Sequence, residues 1–278
     1  MWLEGSINIT TILSVGLKFP YSLFVATTGD IYIDNGYANN RVDVWSVNTT
    51  IGLPVMQVIQ ACYGLFVDDN LYCSMQYLHQ VVKKPLNDST NTSITIFGTG
   101  CPGLTATMLN RPVGIFVDIH LNLYVADSEN NRIQRFPSGQ SNAITVAGNG
   151  SIDSFPLNNP TGIVLDADEN LFIVDQNNHR IVRSGPNGFQ CIVGCTRYNN
   201  TALNQLNTPR TLNFDSYGNI FVINNDNRRI QKFLLATNTC SKWRVIEMVY
   251  ISLIFRRYHT IATNDNIHWY YTPLYFSL

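Results

Sequence analysis

The sequence predicts an all-β protein built from about six copies of one β-hairpin unit. Three observations support this fold class: apolar residues alternate within each copy, turn-forming residues separate the apolar runs, and the units recur at a nearly constant spacing. The turn residues of successive hairpins are Asp30, Asn70, Asn122, Asn170, Asn219 and Asn266, so the steps between them are 40, 52, 48, 49 and 47 residues. Such a period is typical of repeat architectures in which each unit packs against its neighbours.

The clearest copy covers residues 112–136. Ile115 and Val117 alternate with their neighbours as a half-buried strand requires, and a turn at Asn122 leads into a second apolar run at 123–125. A polar turn at 127–131 precedes a third run at 133–136, and a fourth follows at 143–148. Four antiparallel strands per unit of roughly 48 residues are typical of a β-propeller blade, and about six units predict a six-bladed β-propeller.

The repeat pattern predicts a single domain over residues 1–278. We expect repeats near 20–60, 62–100, 112–148, 160–194 and 209–240, followed by a degenerate sixth unit at 258–278. An isolated strand pattern at 7–16 is expected to complete this last blade, because pairing the two chain ends would remove free sheet edges. The segment 240–257 fits no part of the repeat.

The units resemble the NHL repeat family, whose pattern joins an apolar strand ending in Asp to a Tyr-Val-Ala-Asp-like strand and an Asn-x-Arg-Ile motif. The matching residues are Asp118, Tyr124, Val125, Ala126, Asp127, Asn130, Arg132 and Ile133. The resemblance is strong over 112–233, moderate over 20–82 and weak from 241 onward. It implies a six-bladed propeller that binds something on one face. Members include protein-binding modules, RNA-binding modules attached to ubiquitin-ligase machinery, and an amidating lyase that uses zinc, and fold analogy alone does not choose among them.

Composition argues against two classes of partner. The chain has 18 Lys+Arg against 19 Asp+Glu and only 13% charged residues, so no strong field attracts polyanions and nucleic acid is not expected as a partner. The most apolar late segment, 245–255, is shorter than the roughly 20 residues of a membrane-spanning helix and contains Glu247, so no membrane span is expected.

Cysteines and glycosylation triplets favour an extracellular or secreted protein, with the cytoplasm as the alternative, although the first residues carry no signal-peptide pattern. The candidate N-glycosylation sites are Asn8, Asn48, Asn87, Asn91, Asn149 and Asn199. Disulfides are expected among the six cysteines, but their pairing stays open. Cys62 and Cys73 flank one hairpin, yet strand alternation would place them on opposite faces, while Cys191 and Cys195 need a turn to approach within about 5.5 Å.

The candidate chemistry does not favour an enzyme. Arg132, Arg180 and Arg229 recur in several units, which indicates that they hold the blade turns rather than one site. A zinc lyase needs several His that converge on the channel, and none of the five His lies at the start of an inner strand. No Gly-x-Ser-x-Gly motif is present either. We therefore predict no catalytic residues, no cofactor and no metal site.

The leading hypothesis is a non-catalytic interaction module that binds a protein or glycan through one propeller face. The exposed turns between the second and third strands vary from unit to unit, and this variation is typical of a binding surface. The candidate residues in these turns are Tyr37, Tyr77, His79, Glu129, Gln176, His179, Asn225 and Arg228. The alternative is an intracellular NHL adaptor for RNA or a ubiquitin-ligase substrate, and the third is a metal-dependent propeller lyase or lactonase.

Overall fold

A computed structural model describes residues 16–234 except 48, 153, 154, 186, 197, 198, 200 and 203, together with the backbone of 244–249. These residues form five four-stranded antiparallel sheets, each made of four strands that are consecutive in the chain. The predicted all-β propeller of four-stranded antiparallel blades is thus confirmed over this part of the chain. The predicted sixth unit at 258–278 and the strand at 7–16 lie outside the described residues.

The five sheets are blades 1 to 5 in chain order. Blade 1 consists of β1 (Leu23–Val25), β2 (Ile31–Asn35), β3 (Arg41–Trp45) and β4 (Leu53–Gln57). Blade 2 has β5 (Gly64–Val67), β6 (Asn70–Met75), β7 (Gln80–Pro85) and β8 (Ile94–Phe97). Blade 3 has β9 (Pro112–Val117), β10 (Leu123–Asp127), β11 (Arg132–Phe136) and β12 (Ile144–Gly148). Blade 4 has β13 (Pro160–Leu165), β14 (Leu171–Asp175), β15 (Arg180–Arg183) and β16 (Gln190–Val193). Blade 5 has β17 (Pro209–Phe214), β18 (Ile220–Asn224), β19 (Arg229–Leu234) and β20 (Arg244–Val249).

Short helical turns join the second and third strands of blades 1 to 4. Blade 1 has α1 (Gly36–Asn39), and the next three blades have single 3-10 turns at Gln76–Leu78, Ser128–Asn130 and Gln176–Asn178. Each turn closes on a residue in the left-handed region, with φ of 53° or 54° at Asn40, His79, Asn131 and His179. This conformation reverses the chain within one residue, and Asn tolerates it better than most residues.

The core lies between adjacent blades. All five residues of β10 and of β14 are buried, because both faces of a second strand are covered by neighbouring blades. One cluster joins Val42 and Met56 of blade 1 to Leu71 of blade 2, and another joins Phe172 of blade 4 to Phe233 of blade 5. This arrangement explains the near-continuous apolar runs of the second strands.

The recurrent arginines hold the loops between blades. Arg132 pairs with Asp127 at 2.7 Å and donates to the carbonyls of Leu104, Thr105 and Met108, and Arg180 repeats the ion pair with Asp175 at 2.7 Å. Both pairs are almost fully buried. These residues are therefore internal to the fold.

The sequence analysis left residues 240–257 outside the repeat, and the structure describes 244–249 of this segment as a strand. β20 pairs antiparallel with β19 and is the outer strand of blade 5, so this unit continues past residue 240 to Val249. An outer strand is defined by pairing along one edge and carries little of the repeat motif, so sequence comparison does not reveal it. Within the described part of the chain, no helix has the length and apolar character needed to cross a membrane.

Two disulfides join cysteines within single blades. Cys62 bonds to Cys73 with 5.2 Å between the α-carbons, and Cys191 bonds to Cys195 with 5.6 Å. The alternation argument against the first pair fails because β5 begins only at Gly64, and the chain bends at Tyr63 before it. Exposed Cys101 has no disulfide partner among the described residues.

Candidate interaction face

The candidate residues belong to one end of the blades, which we call the turn face. It carries the turns between second and third strands and the segments that lead into the inner strands. The eight sequence-predicted residues differ in what they contact there. Tyr37 and Tyr77 project into solvent with 61% and 52% exposure, while Glu129 is exposed and lies 3.5 Å from the guanidinium of Arg111. In blade 5, Arg228 is exposed and Asn225 is half-buried.

The prediction of Gln176 as an exposed contact was wrong. Its side chain is buried, and its Oε1 accepts a hydrogen bond from Asn159 Nδ2 at 3.1 Å. The equivalent Ser128 of blade 3 is also buried and donates to the carbonyl of Pro160 in blade 4. The first position of this turn is therefore buried in both blades, with Ser128 contacting the next blade and Gln176 contacting the segment that leads into its own blade.

His79 and His179 serve to join blades. Nδ1 of His79 accepts from the backbone N–H of Arg111 at 3.1 Å, and Nδ1 of His179 accepts from that of Thr208 at 3.1 Å. Oδ1 of Asn131 does the same for blade 3. Burial lowers the pKa of His79, which favours the neutral ring that this acceptor role requires. Both histidines are thus already engaged in contacts between blades.

Four tyrosines of blades 1 and 2 pack together on the turn face. We call Tyr21, Tyr37, Tyr63 and Tyr77 the tyrosine patch. The ring centroids of Tyr21 and Tyr63 are 4.5 Å apart, Tyr37 lies 6.2 Å from Tyr21, and Tyr77 lies 5.8 Å from Tyr63. Tyr21 and Tyr63 are only 8% and 7% exposed, so they form a floor from which the other two rings project.

The patch arises from two positions of the repeat. Tyr21 and Tyr63 occupy the same position before the inner strand, and Tyr37 and Tyr77 occupy the same position of the turn. Blades 3, 4 and 5 have Val113, Thr161 and Arg210 at the first position and Glu129, Asn177 and Asp226 at the second. Because three blades fold without tyrosine at either place, the blade architecture does not require it.

Two further residues border the patch. Phe19 is 44% exposed and packs edge-on against Tyr37 with 5.6 Å between centroids, and the guanidinium of Arg111 lies 5.3 Å from the ring centroid of Tyr77. The sequence analysis missed Phe19, Tyr21, Tyr63 and Arg111. A comparison of aligned blades at the start of the inner strand would have singled out Tyr21 and Tyr63.

A buried carboxylate fixes the backbone beneath the patch. Asp34 accepts hydrogen bonds from the backbone N–H of Tyr21 at 3.1 Å and from those of Gly36 and Cys62 at 2.9 Å. Gly36 and Cys62 directly precede Tyr37 and Tyr63, so one side chain positions three of the four tyrosines. The equivalent residues of blades 2 to 5 are Ser74, Ala126, Val174 and Ile223, so this carboxylate is specific to blade 1.

Burial dominates the ionisation of these groups. It raises the pKa of Asp34 to about 7 despite the three N–H donors, and it also raises the pKa values of Tyr21 and Tyr63. The hydroxyl of Tyr63 is hydrogen-bonded to those of Tyr21 and Tyr77. Tyr21 and Tyr63 therefore stay protonated near neutral pH, and the hydroxyls of Tyr21, Tyr63 and Tyr77 form a connected group.

A cavity of about 220 Å³ lies among the inner strands of the five blades. Arg210 is the charged residue of its described lining, which otherwise consists of apolar, hydroxyl and amide groups. Among the described residues, no three His, Cys, Asp or Glu side chains group closely enough to hold a metal ion. The described lining of the cavity therefore offers no general base or metal ligand set.

Comparison with known proteins identifies the repeat. The NHL repeat family matches residues 109–136 and 157–183, which are the units of blades 3 and 4 up to their third strands. These two units each carry an NHL repeat. A search of the curated proteins finds no significant match.

Solved structures similar to this propeller include binding proteins and enzymes. A chain of a nidogen/laminin complex is 17% identical over 79% of this chain and 77% of its own, with a TM-score of 0.62. An auxiliary nutrient binding protein from Bacteroides thetaiotaomicron is 16% identical over 78% of this chain and 59% of its own, with a TM-score of 0.61. A virginiamycin B lyase from Staphylococcus aureus is 12% identical over 84% and 71%, with a TM-score of 0.55. At these identities the similarity establishes the fold alone.

Proposed function

We propose that this NHL propeller is a non-catalytic interaction module that binds a protein partner through its turn face. The observation that carries the proposal is the tyrosine patch, which occupies two repeat positions in blades 1 and 2 and in none of the other described blades. The recurrent charged residues are used inside the fold, whereas Tyr37 and Tyr77 present exposed rings.

The chemistry of the patch suits a protein interface. Tyr, Phe and Arg are enriched at the centres of such interfaces, and hot spots consist mainly of Tyr, Trp and Arg. Asp34 and the Cys62–Cys73 disulfide hold the supporting backbone, so a partner meets rings that are largely pre-positioned. Preorganisation of this kind reduces the ordering cost of binding.

A glycan partner is less favoured by the ring geometry. The projecting rings of Tyr37 and Tyr77 are inclined at 52° and 81° to their floor neighbours, so they form ridges and clefts instead of a flat stacking surface. Arg111 covers part of Tyr77. For nucleic acid, a net charge of −1 gives no general attraction to phosphates, and the likeness to a lyase concerns the fold alone.

We also propose that the protein is extracellular and glycosylated. Two disulfides support an oxidising compartment. Asn87, Asn91, Asn149 and Asn199 are exposed, although the Nδ2 of Asn149 donates to the carbonyl of Asn130. Asn8 and Asn48 lie outside the described residues.

We further propose a sixth blade formed by residues 258–278 together with 7–16. The turn residue Asn266 follows Asn219 by 47 residues, which continues the spacing of the described blades. A closed ring would also pair the chain ends and leave no open blade.

Quantitative affinity capture from an extracellular matrix extract tests the interaction. The bait proteins are the wild type, the double variant Tyr37→Ser/Tyr77→Ser, and a matched control, Tyr217→Ser. Tyr217 is 78% exposed in the turn between β17 and β18, at the opposite end of its blade from the turn face. We expect at least one protein that the wild type and the control retain and the double variant loses at least tenfold. Equal capture by all three baits, or capture abolished by removing the partner's glycans, would contradict the proposal.

A further inference from the structure

We infer that the tyrosine patch binds a proline-rich protein segment in the polyproline II conformation. This inference rests on the proposed function, because it specifies the partner chemistry of the same site.

The rings at the ends of the patch stand at steep angles to their neighbours. Tyr21 and Tyr63 form a floor with 31° between their planes, and Tyr37 and Tyr77 stand on either side of it. Phe19 extends the row beyond Tyr37, nearly perpendicular to it at 77°. Upright aromatic rings separated by clefts are the arrangement that receives proline-rich segments in general.

The polar groups of the patch match the needs of such a segment. A polyproline II helix has no internal hydrogen bonds, and proline has no N–H to donate, so its main chain offers carbonyl acceptors alone. The patch supplies tyrosine hydroxyls, which combine an apolar ring with a hydrogen-bonding tip. The hydroxyl of Tyr77, which belongs to an exposed side chain, is hydrogen-bonded to that of Tyr63.

The spacing of the rings agrees with the helical repeat. Successive centroids from Phe19 to Tyr77 are separated by 5.6, 6.2, 4.5 and 5.8 Å. One turn of a polyproline II helix contains three residues and advances roughly 9 Å. Neighbouring rings are therefore close enough to contact residues within one turn of the segment.

Charge around the patch favours a neutral segment over a cationic one. Exposed Lys18 precedes Phe19 at one end, and Arg111 lies against Tyr77 at the other. Glu129 is already paired with Arg111, and the Asp34 carboxylate is buried among backbone N–H groups. Among these border groups the cations Lys18 and Arg111 outnumber the one exposed carboxylate, that of Glu129, which disfavours a lysine- or arginine-rich segment.

Fluorescence anisotropy with labelled decaproline tests the inference directly. The controls are a glycine-serine peptide and a lysine-rich peptide of the same length, all at moderate salt. We expect decaproline to bind at least tenfold more tightly than either control. Tyr37→Ala/Tyr77→Ala should weaken this binding at least tenfold, whereas Tyr217→Ala should leave it unchanged. Tyr37→Phe keeps the ring at an exposed position and should retain affinity within about threefold, which separates loss of the site from loss of folding.

Each remaining outcome has a defined meaning. Equal binding of the three peptides, preference for the lysine-rich peptide, or decaproline binding that survives the double alanine substitution would overturn the inference. If decaproline does not bind but capture of a partner still requires Tyr37 and Tyr77, only the assignment of a proline-rich partner is refuted. If substitution of both tyrosines does not change the capture of any partner, the proposed function is refuted as well.

Discussion

Replacing Arg132 with alanine is expected to lower the free energy of unfolding by about 3–5 kcal/mol, because it leaves a buried carboxylate without its ionic partner. The side chains of Arg132 and Asp127 are 7% and 0% exposed, and Nε lies 2.7 Å from Oδ2. The substitution also removes donors to three loop carbonyls. Burial raises the pKa of Asp127 even with this partner present, which shows how costly desolvation of the carboxylate is.

The same reasoning predicts a small effect for the exposed pair in the same blade. Arg111 and Glu129 are 46% and 49% exposed and 3.5 Å apart, so Glu129→Ala should cost at most about 1 kcal/mol. Urea unfolding followed by tryptophan fluorescence and circular dichroism compares the two variants. The double variant Asp127→Ala/Arg132→Ala should lose less than the sum of the two single losses, since the partners are coupled. If Arg132→Ala is no more destabilising than Glu129→Ala, the structural role of the recurrent arginine is refuted.

Three further predictions concern the blade framework. Gly114→Ala should lower the free energy of unfolding by about 1–3 kcal/mol, because the added Cβ would lie 2.1 Å from a backbone carbonyl oxygen of blade 4. Gly185→Ala is the control, since the atom nearest to its added Cβ lies at 3.8 Å. In the same urea assay it should change the free energy of unfolding by less than about 0.5 kcal/mol. Burial raises the folded-state pKa of Asp34 from 3.8 to about 7, so the folded state binds this proton more tightly than the unfolded state does. The resulting stabilisation, up to about 4 kcal/mol of unfolding free energy, is fully present below pH 4 and is lost as the pH rises through 7. Asp34→Asn should therefore flatten the decline of unfolding free energy between pH 5 and 8, and an unchanged slope would contradict this. Alkylation and peptide mass analysis of unreduced secreted protein should find Cys62 and Cys73 in one disulfide-linked pair, and recovery of either as a free thiol would argue against it.

Repetition in the sequence was sufficient to predict the five described blades and their strand order, except for the outer strand of blade 5. The pairs that recur, such as Asp127 with Arg132, mark positions whose partners lie within the same blade or its connecting loop. Pairing along an outer edge leaves little trace in the sequence, and β20 was missed for that reason. The pairing of Cys62 with Cys73 stayed open in the sequence analysis because the regular strand starts after Cys62, where alternation no longer applies.

The candidate site was only partly predictable. Tyr37 and Tyr77 follow from their variable turn position, whereas Tyr21 and Tyr63 lie before inner strands that had been assigned to the framework. The roles of His79 and His179 depend on the following blade, and that of Gln176 on the segment before its own inner strand, and the sequence specifies the position of neither relative to the turn. Contacts between blades thus limit what a single repeat can reveal.

Tyrosine footprinting of the complex with a captured partner tests the central claim most directly. Residue-specific oxidation or iodination, read by peptide mass spectrometry, measures the accessibility of each tyrosine with and without the partner. Tyr37 and Tyr77 are exposed on the turn face, and Tyr217 is exposed at the opposite end of blade 5. The account predicts that the partner protects Tyr37 and Tyr77 while Tyr217 remains modified at its original rate. Protection of Tyr217 alone, or unchanged modification of Tyr37 and Tyr77, would show that the partner binds elsewhere.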